Sequence, residues 1–200
     1  MAKLHFTHAA MNAGKSSLLL QTNFNYGERG MRCLLLTAGF DTRSGTGKIA
    51  SRLGMEAEAK TFEAATDLTP MLQEAADDKV ACVLVDEAQF LSRAQVGQLC
   101  WAVDTLNLPV MAYGLRTDFQ GHLFEGSAAL MALADEIREA RTICHCGKKA
   151  TMVLRKGADG RAILDGPQVQ IGGNESYESV CRKHWQEAHI AQGVDMPLAE

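Results

Sequence analysis

No run of about 18 or more apolar residues occurs anywhere in the chain, so a membrane-spanning helix is not expected. The first residues, MAKLHFTHAAMNAGKSS, lack the apolar stretch that a secretory signal requires. Export is therefore not expected, and a reducing, cytoplasmic compartment is the reading. Neither sign of charge is in large excess: the formal net charge is −4 and the pI is near 5.9. That balance does not favour a long nucleic acid as partner, which calls for a basic face. Internal repeats and low-complexity tracts are also lacking. Under reducing conditions the six cysteines do not read as disulfides but as thiols or metal ligands.

What is present fits an ordinary globular protein of 200 residues, 46% hydrophobic and 22% charged. The length suits a core of about 140 residues with a small appendage. Residues 3–8 predict a short strand and residues 15–26 a helix, separated by a loop of small residues. Residues 33–37, 80–85 and 110–113 are short apolar runs, as buried parallel strands are. Between the last two, Ser92 to Leu106 has helical spacing, with Val96, Leu99, Cys100 and Val103 on one face. Strands alternating with helices predict an α/β fold, a parallel sheet with helices on both faces. Residues 39–47 read as a mobile loop, and residues from about 191 as a loose C-terminal tail.

The octad Ala9-Ala10-Met11-Asn12-Ala13-Gly14-Lys15-Ser16 ends as a phosphate loop does and lies between a strand and a helix. That context makes the core P-loop NTPase-like. Backbone N–H groups at the helix start would surround the phosphates, Lys15 would add a point charge, and the Ser16 hydroxyl would ligate Mg²⁺. A chance Gly-Lys-Ser at a helix start is the bland alternative. Further on, Val83-Leu84-Val85 ends in Asp86 and Glu87. Carboxylates at a strand's carboxyl end suit a metal and a proton acceptor, though solvated strand-end charges would look the same. Asp41-Thr42-Arg43 could stabilise a transferring phosphoryl group or merely charge a surface loop.

Scattered in apolar surroundings, Cys33, Cys82 and Cys100 read as core filler. Cys144, Cys146, Cys181 and His184 instead form two ligand pairs of zinc type in a segment too short for its own apolar core. Reduced structural thiols are the competing reading, and His145 is an alternative ligand. Four protein ligands predict a closed, structural site. The remaining histidines, His5, His8, His122 and His189, have no metal spacing and are expected on the surface or in the core. The chain thus divides into a P-loop ATP-binding α/β core over 1–141, a small C-terminal zinc-binding domain over 142–190, and a tail over 191–200.

At this point whole motifs can be compared. AMNAGKS, LLQxxxNY, VLVDExQF, YGLRTDF, IGGNExY and SVCRKH occur in this order across nearly the whole chain. Together they closely resemble the type II thymidine kinases of bacteria and animals. The resemblance implies transfer of the ATP γ-phosphate to the 5′-hydroxyl of thymidine, with Mg²⁺. It implies ATP-phosphate binding by Ala9 to Ser16, with Asp41, Thr42 and Arg43 at the nucleotide site. Glu87 matches the general base, flanked at the nucleotide site by Asp86, Ala88 and Gln89. Phe119 matches an aromatic that contacts thymine, and Met11 a side chain packed on the base. Gln168, Val169, Gln170, Ile171 and Gly172 match a segment whose backbone reads the base edge, and Tyr177 lies beside the nucleoside. Cys144, Cys146, Cys181 and His184 match structural zinc ligands. The family is usually a homotetramer inhibited by thymidine triphosphate. Two departures stand out: Ala9 replaces the first glycine of the phosphate loop, and Cys-x-Cys with His184 replaces the all-cysteine pairs of animal members.

Two other classes compete. A nucleic-acid-linked ATPase would need a basic zinc module, but residues 142–189 hold seven Lys/Arg against five Asp/Glu, a net of +2. A non-catalytic nucleotide-binding module would have no need of Glu87. Thymidine and deoxyuridine are not separated, because they share the edge that a backbone segment would read.

Overall fold

The computed structural model describes residues 1–39, 47–168 and 176–193. The expected loop at 39–47 and the tail thus fall largely outside the described residues, as do Asp41, Thr42, Arg43, Val169, Gln170, Ile171 and Gly172. In chain order the elements are β1 (Leu4–Ala9), α1 (Lys15–Gly27), β2 (Cys33–Ala38), β3 (Lys48–Ala50), β4 (Glu56–Glu58), β5 (Lys60–Phe62), α2 (Thr69–Asp77), β6 (Cys82–Val85), α3 (Arg93–Leu106), β7 (Val110–Leu115), α4 (Glu125–Leu133), β8 (Glu136–Glu139), β9 (Thr142–Ile143), β10 (Lys149–Ala150), β11 (Met152–Lys156), β12 (Ala162–Ile163), β13 (Tyr177–Val180) and α5 (Arg182–Ile190). No helix among the described residues is long and apolar enough to cross a membrane.

Chain contacts divide the protein into two compact units. The first comprises residues 1–8, 14–115 and 124–140. Its six-stranded parallel sheet has the order β5-β2-β6-β7-β1-β8. All four residues of β6 are buried, as expected of a central parallel strand covered on both faces. Cys33 pairs with Cys82 in register, so β2 and β6 run side by side from their first residues. The predicted helix at 92–106 begins at Arg93, because Ser92 is its cap. The Ser92 hydroxyl accepts from the Gln95 backbone, and the Gln95 side chain accepts from the Ser92 backbone. Val96, Leu99, Ala102 and Val103 bury the inward face, and Asn107 ends the helix in left-handed conformation. Periodicity did not mark α2, α4 or β8. Small residues dominate the start of α4 for a reason that only packing reveals, described below.

The second unit comprises residues 9–13, 116–123 and the chain from Arg141 onward. Its three-stranded sheet has the order β12-β11-β13, antiparallel throughout. Ahead of it β9 and β10 form a short hairpin whose turn carries Cys144, Cys146 and Gly147. Gly147 has φ +80°, which a glycine adopts without steric cost. The core is small: Cys144, Ala150, Met152, Leu154, Val180, Cys181 and Trp185.

Candidate active site and metal cluster

Ala9 closes β1 with ordinary strand geometry and is not among the residues of positive φ. The missing first glycine therefore removes no conformation that this loop uses. Positive φ falls instead at Asn12 (+62°) and Gly14 (+79°). Gly14 caps α1 without any side-chain hydrogen bond, so the first N–H groups of the helix are left to other partners. A helix start without a side-chain cap and with Lys15 in its first turn is an arrangement that suits an anion.

Ser16 and Asp86 are joined by a side-chain hydrogen bond, which brings the end of β6 onto the start of α1. Asp86 is 4% exposed, and its Oδ1 has no hydrogen-bond partner. Burial, and then the charge of Glu87, push its pKa up to about 7 against the opposing pull of Ser16 and Lys15. A buried carboxylate oxygen without a partner, next to a serine hydroxyl, suits the oxygen-ligand demand of Mg²⁺.

Glu87 sits at φ +52°, a left-handed conformation that costs a side-chain-bearing residue about 1 kcal/mol or more. It turns the chain sharply out of β6 into a 3₁₀ turn at Ala88–Phe90. The buried Gln89 donates to Glu87 Oε2 at 2.5 Å, and its Oε1 accepts from the Leu115 backbone at 2.9 Å. Two glycines close in on the same turn. A Cβ on Gly114 would lie 2.9 Å from both the backbone nitrogen and Oε1 of Gln89. One on Gly126 would lie 2.6 Å from the carbonyls of Ala88 and Leu91. The carboxylate is therefore carried on a rigid corner.

In the second unit the ligand atoms of Cys144, Cys146, Cys181 and His184 all lie within 4.8 Å of one another. The Cys144 and Cys181 sulfurs are 3.2 and 3.6 Å from His184 Nδ1, and the Cys146 and Cys181 sulfurs are 3.9 Å apart. Tetrahedral zinc with bonds near 2.3 Å sets its ligands roughly 3.5–3.8 Å apart, so the donor set and spacing fit that ion. Burial resists ionisation of Cys144, yet hydrogen bonds from the Cys146 and Cys181 backbone and from His184 lower its pKa to about 6, toward the thiolate a metal needs. His145 lies at the edge of the cluster: its Nδ1 is 3.1 Å from Glu178 and 3.8 Å from the Cys144 sulfur, and its ring stacks on that of His184.

The family model for thymidine kinase matches residues 2–185. A thymidine kinase of Ruegeria pomeroyi is 62% identical over 189 residues, covering 94% of this chain and 96% of that protein. One of Rhizobium meliloti is 58% identical over 188 residues, covering 92% and 96%. One of Rhodopirellula baltica is 55% identical over 202 residues, covering 100% and 96%. The chain belongs to the thymidine kinase family.

Several residues that this thymidine kinase family resemblance assigned to the nucleoside lie in the second unit. Phe119 is buried, its carbonyl accepting from Trp185 Nε1 at 2.9 Å. Gln168 is exposed and donates to Asp118 Oδ2 at 2.8 Å. Tyr177 opens β13, and the Met11 carbonyl accepts from Ser179 Oγ at 2.6 Å. Sequence reasoning missed Asp118, Arg155 and Trp185, which tie these positions together. Asp118 and Arg155 are buried charged residues. In the sequence Asp118 is only one acid in a turn, and Arg155 one of two adjacent cations in a strand. Neither has a periodic or spacing signal.

Proposed function

We propose that the chain transfers the γ-phosphate of ATP to the 5′-hydroxyl of thymidine, and also of deoxyuridine, giving the nucleoside monophosphate and ADP. One observation carries the reading: in a member of this family, Glu87 is fixed on a left-handed corner directly after Asp86, which is bonded to the serine of a phosphate loop. Such a corner suits a carboxylate that must meet one particular hydroxyl.

Lys15 and the backbone of residues 9–16 hold the ATP phosphates, with Asp41, Thr42, Arg43, Ala88 and Gln89 completing the nucleotide site. Ser16 and Asp86 hold the Mg²⁺ that accompanies ATP, which when bound neutralises charge on the phosphates. Glu87 takes the 5′-hydroxyl proton as the oxygen attacks, and Gln89 keeps its carboxylate oriented. Met11, Phe119, Gln168, the backbone of 169–172 and Tyr177 select a pyrimidine nucleoside. Cys144, Cys146, Cys181 and His184 bind structural zinc. The enzyme works as a cytoplasmic homotetramer, restrained by thymidine triphosphate, with no role for membranes or nucleic acid polymers.

The test is phosphoryl transfer from ATP to a panel of deoxynucleosides. Thymidine and deoxyuridine should be phosphorylated. Deoxyguanosine should be disfavoured on the order of 10⁴-fold, because the pocket's hydrogen-bonding groups would be left unpaired. Comparable kcat/KM for thymidine and deoxyguanosine would refute the specificity. Glu87→Gln, run alongside, should lower kcat about 10² to 10⁴-fold with nucleoside binding kept, and near-normal turnover would remove Glu87 from the role.

A further inference from the structure

Arg155 is a charged residue where the surroundings favour an apolar one. It lies in β11, follows the buried Val153 and Leu154, and is itself 3% exposed. Among the described residues no carboxylate pairs with it, and its Nε has no hydrogen-bond partner. Among the described residues, this guanidinium is therefore buried without a counter-ion. Replacing a buried ionic group by a well-packed apolar one is often neutral or stabilising, which makes stability alone a poor account of this arginine.

Its contacts supply another account. The guanidinium carbon lies 3.8 Å from the centroid of the Phe119 ring, a cation–π contact. Nη1 donates to the Pro167 carbonyl at 2.9 Å and Nη2 to the Asp165 carbonyl at 3.1 Å. Between those carbonyls Gly166 has φ +128°, and a Cβ there would lie 2.6 Å from Nη2, so the chain approaches the guanidinium closer than a side chain would allow. In the sheet, Arg155 is the register partner of Tyr177. One residue further along, Gln168 donates to Asp118, the neighbour of Phe119. The contacts close a ring running Phe119, Arg155, residues 165–167, Gln168, Asp118 and back to Phe119.

We propose that Arg155 is a positioning residue for pyrimidine nucleoside recognition: its planar fork sets the Phe119 ring and the chain at 165–168 in one fixed relation. The inference rests on the reading above that Phe119 and Gln168 bind the nucleoside. The guanidinium needs no contact with substrate; it acts through the groups that do. Lysine would keep a charge over the ring but could not hold two carbonyls in a plane.

The test is steady-state kinetics of the full-length, zinc-loaded protein as wild type, Arg155→Met, Arg155→Lys, Phe119→Ala and the Arg155→Met/Phe119→Ala double variant. Hydrogen bonds from a charged donor suggest a rise in the KM for thymidine of about tenfold or more in Arg155→Met and a smaller one in Arg155→Lys. The kcat, the KM for ATP and the zinc content should stay near wild type. The double variant should be little worse than the poorer single one, because both act through one element. Wild-type thymidine KM in either Arg155 variant, with Phe119→Ala impaired, overturns this inference alone. If Arg155→Met does not fold, Arg155→Lys decides it. A joint fall of zinc content, kcat and both KM values toward inactivity would make Arg155 a structural residue and also overturn it. Wild-type thymidine KM in Phe119→Ala would remove Phe119 from the nucleoside reading, and the role of Arg155 with it.

Discussion

Asp86 works against the stability of its own fold. With the folded-state pKa near 7 and an unfolded value near 3.8, the native state holds its proton through a range where the unfolded chain has lost it. Stability from this group is therefore undiminished below about pH 4, falls as pH rises toward 7, and stays reduced above that. Asp86→Asn removes the titration while keeping an acceptor for Ser16. In magnesium-free buffer at pH 8 it should raise Tm by at least about 3 °C, and the gain should vanish below pH 4. Phosphoryl transfer should be lost at every pH. A variant that melts below wild type at pH 8 would show that Asp86 is stabilising as it stands. The phosphate loop and the Asp86-Glu87 pair were legible in the sequence because backbone geometry forces a short, contiguous signature on them. The orphaned Oδ1 of Asp86 was not legible, since it depends on what packs around it.

At the scale of elements, the turn after β6 is gripped by α4 and β7. The start of α4 is rich in small residues because Gly126 meets three backbone carbonyls, those of Ala88, Gln89 and Leu91, at 2.6–2.9 Å from where a Cβ would stand. Backbone cannot rotate aside as a side chain can. Gly126→Ala should cost about 1–3 kcal/mol as overpacking and shift the corner that carries Glu87. We expect lower Tm by denaturation and a kcat reduced more than either KM. Unchanged kcat at lowered Tm would mean the turn moves without taking Glu87 along. This also explains which elements composition revealed. Strands β2, β6 and β7 read clearly because burial on both faces makes them continuous apolar runs. Helix α3 read clearly because its cap and its stripe agree. Helix α4 did not, because its pattern is set by close approach to a turn about 35 residues earlier rather than by period.

For the molecule as a whole, the core cluster of the second unit has seven members among the described residues, two of which are the candidate metal ligands Cys144 and Cys181. Such a core is too small to hold itself, and the ion would supply the missing cohesion. Elemental analysis should find about one zinc per chain. Cys181→Ser should lose it, alter the emission of Trp185, and raise the KM for thymidine. A simple two-domain division at residue 141 would leave ATP binding untouched. By chain contacts residues 9–13 group with the second unit, and Ser179 holds the Met11 carbonyl. The KM for ATP should therefore rise as well, by less than that for thymidine. Retention of stoichiometric zinc and wild-type thymidine affinity in Cys181→Ser would refute the coupling. The cluster of Cys144, Cys146, Cys181 and His184 was visible in the sequence because metal chemistry restricts residue type. The Met11–Ser179 link was not, since a hydroxyl and a carbonyl 168 residues apart leave no trace in composition.

The left-handed corner at Glu87 has a consequence for how such a protein can change. Glycine occupies φ +52° without strain, so Glu87→Gly would relieve the backbone while deleting the carboxylate. A library screened for heat resistance alone would enrich that sequence, which the proposed role of Glu87 makes inactive, and only a population that must phosphorylate its nucleoside to grow would keep the glutamate.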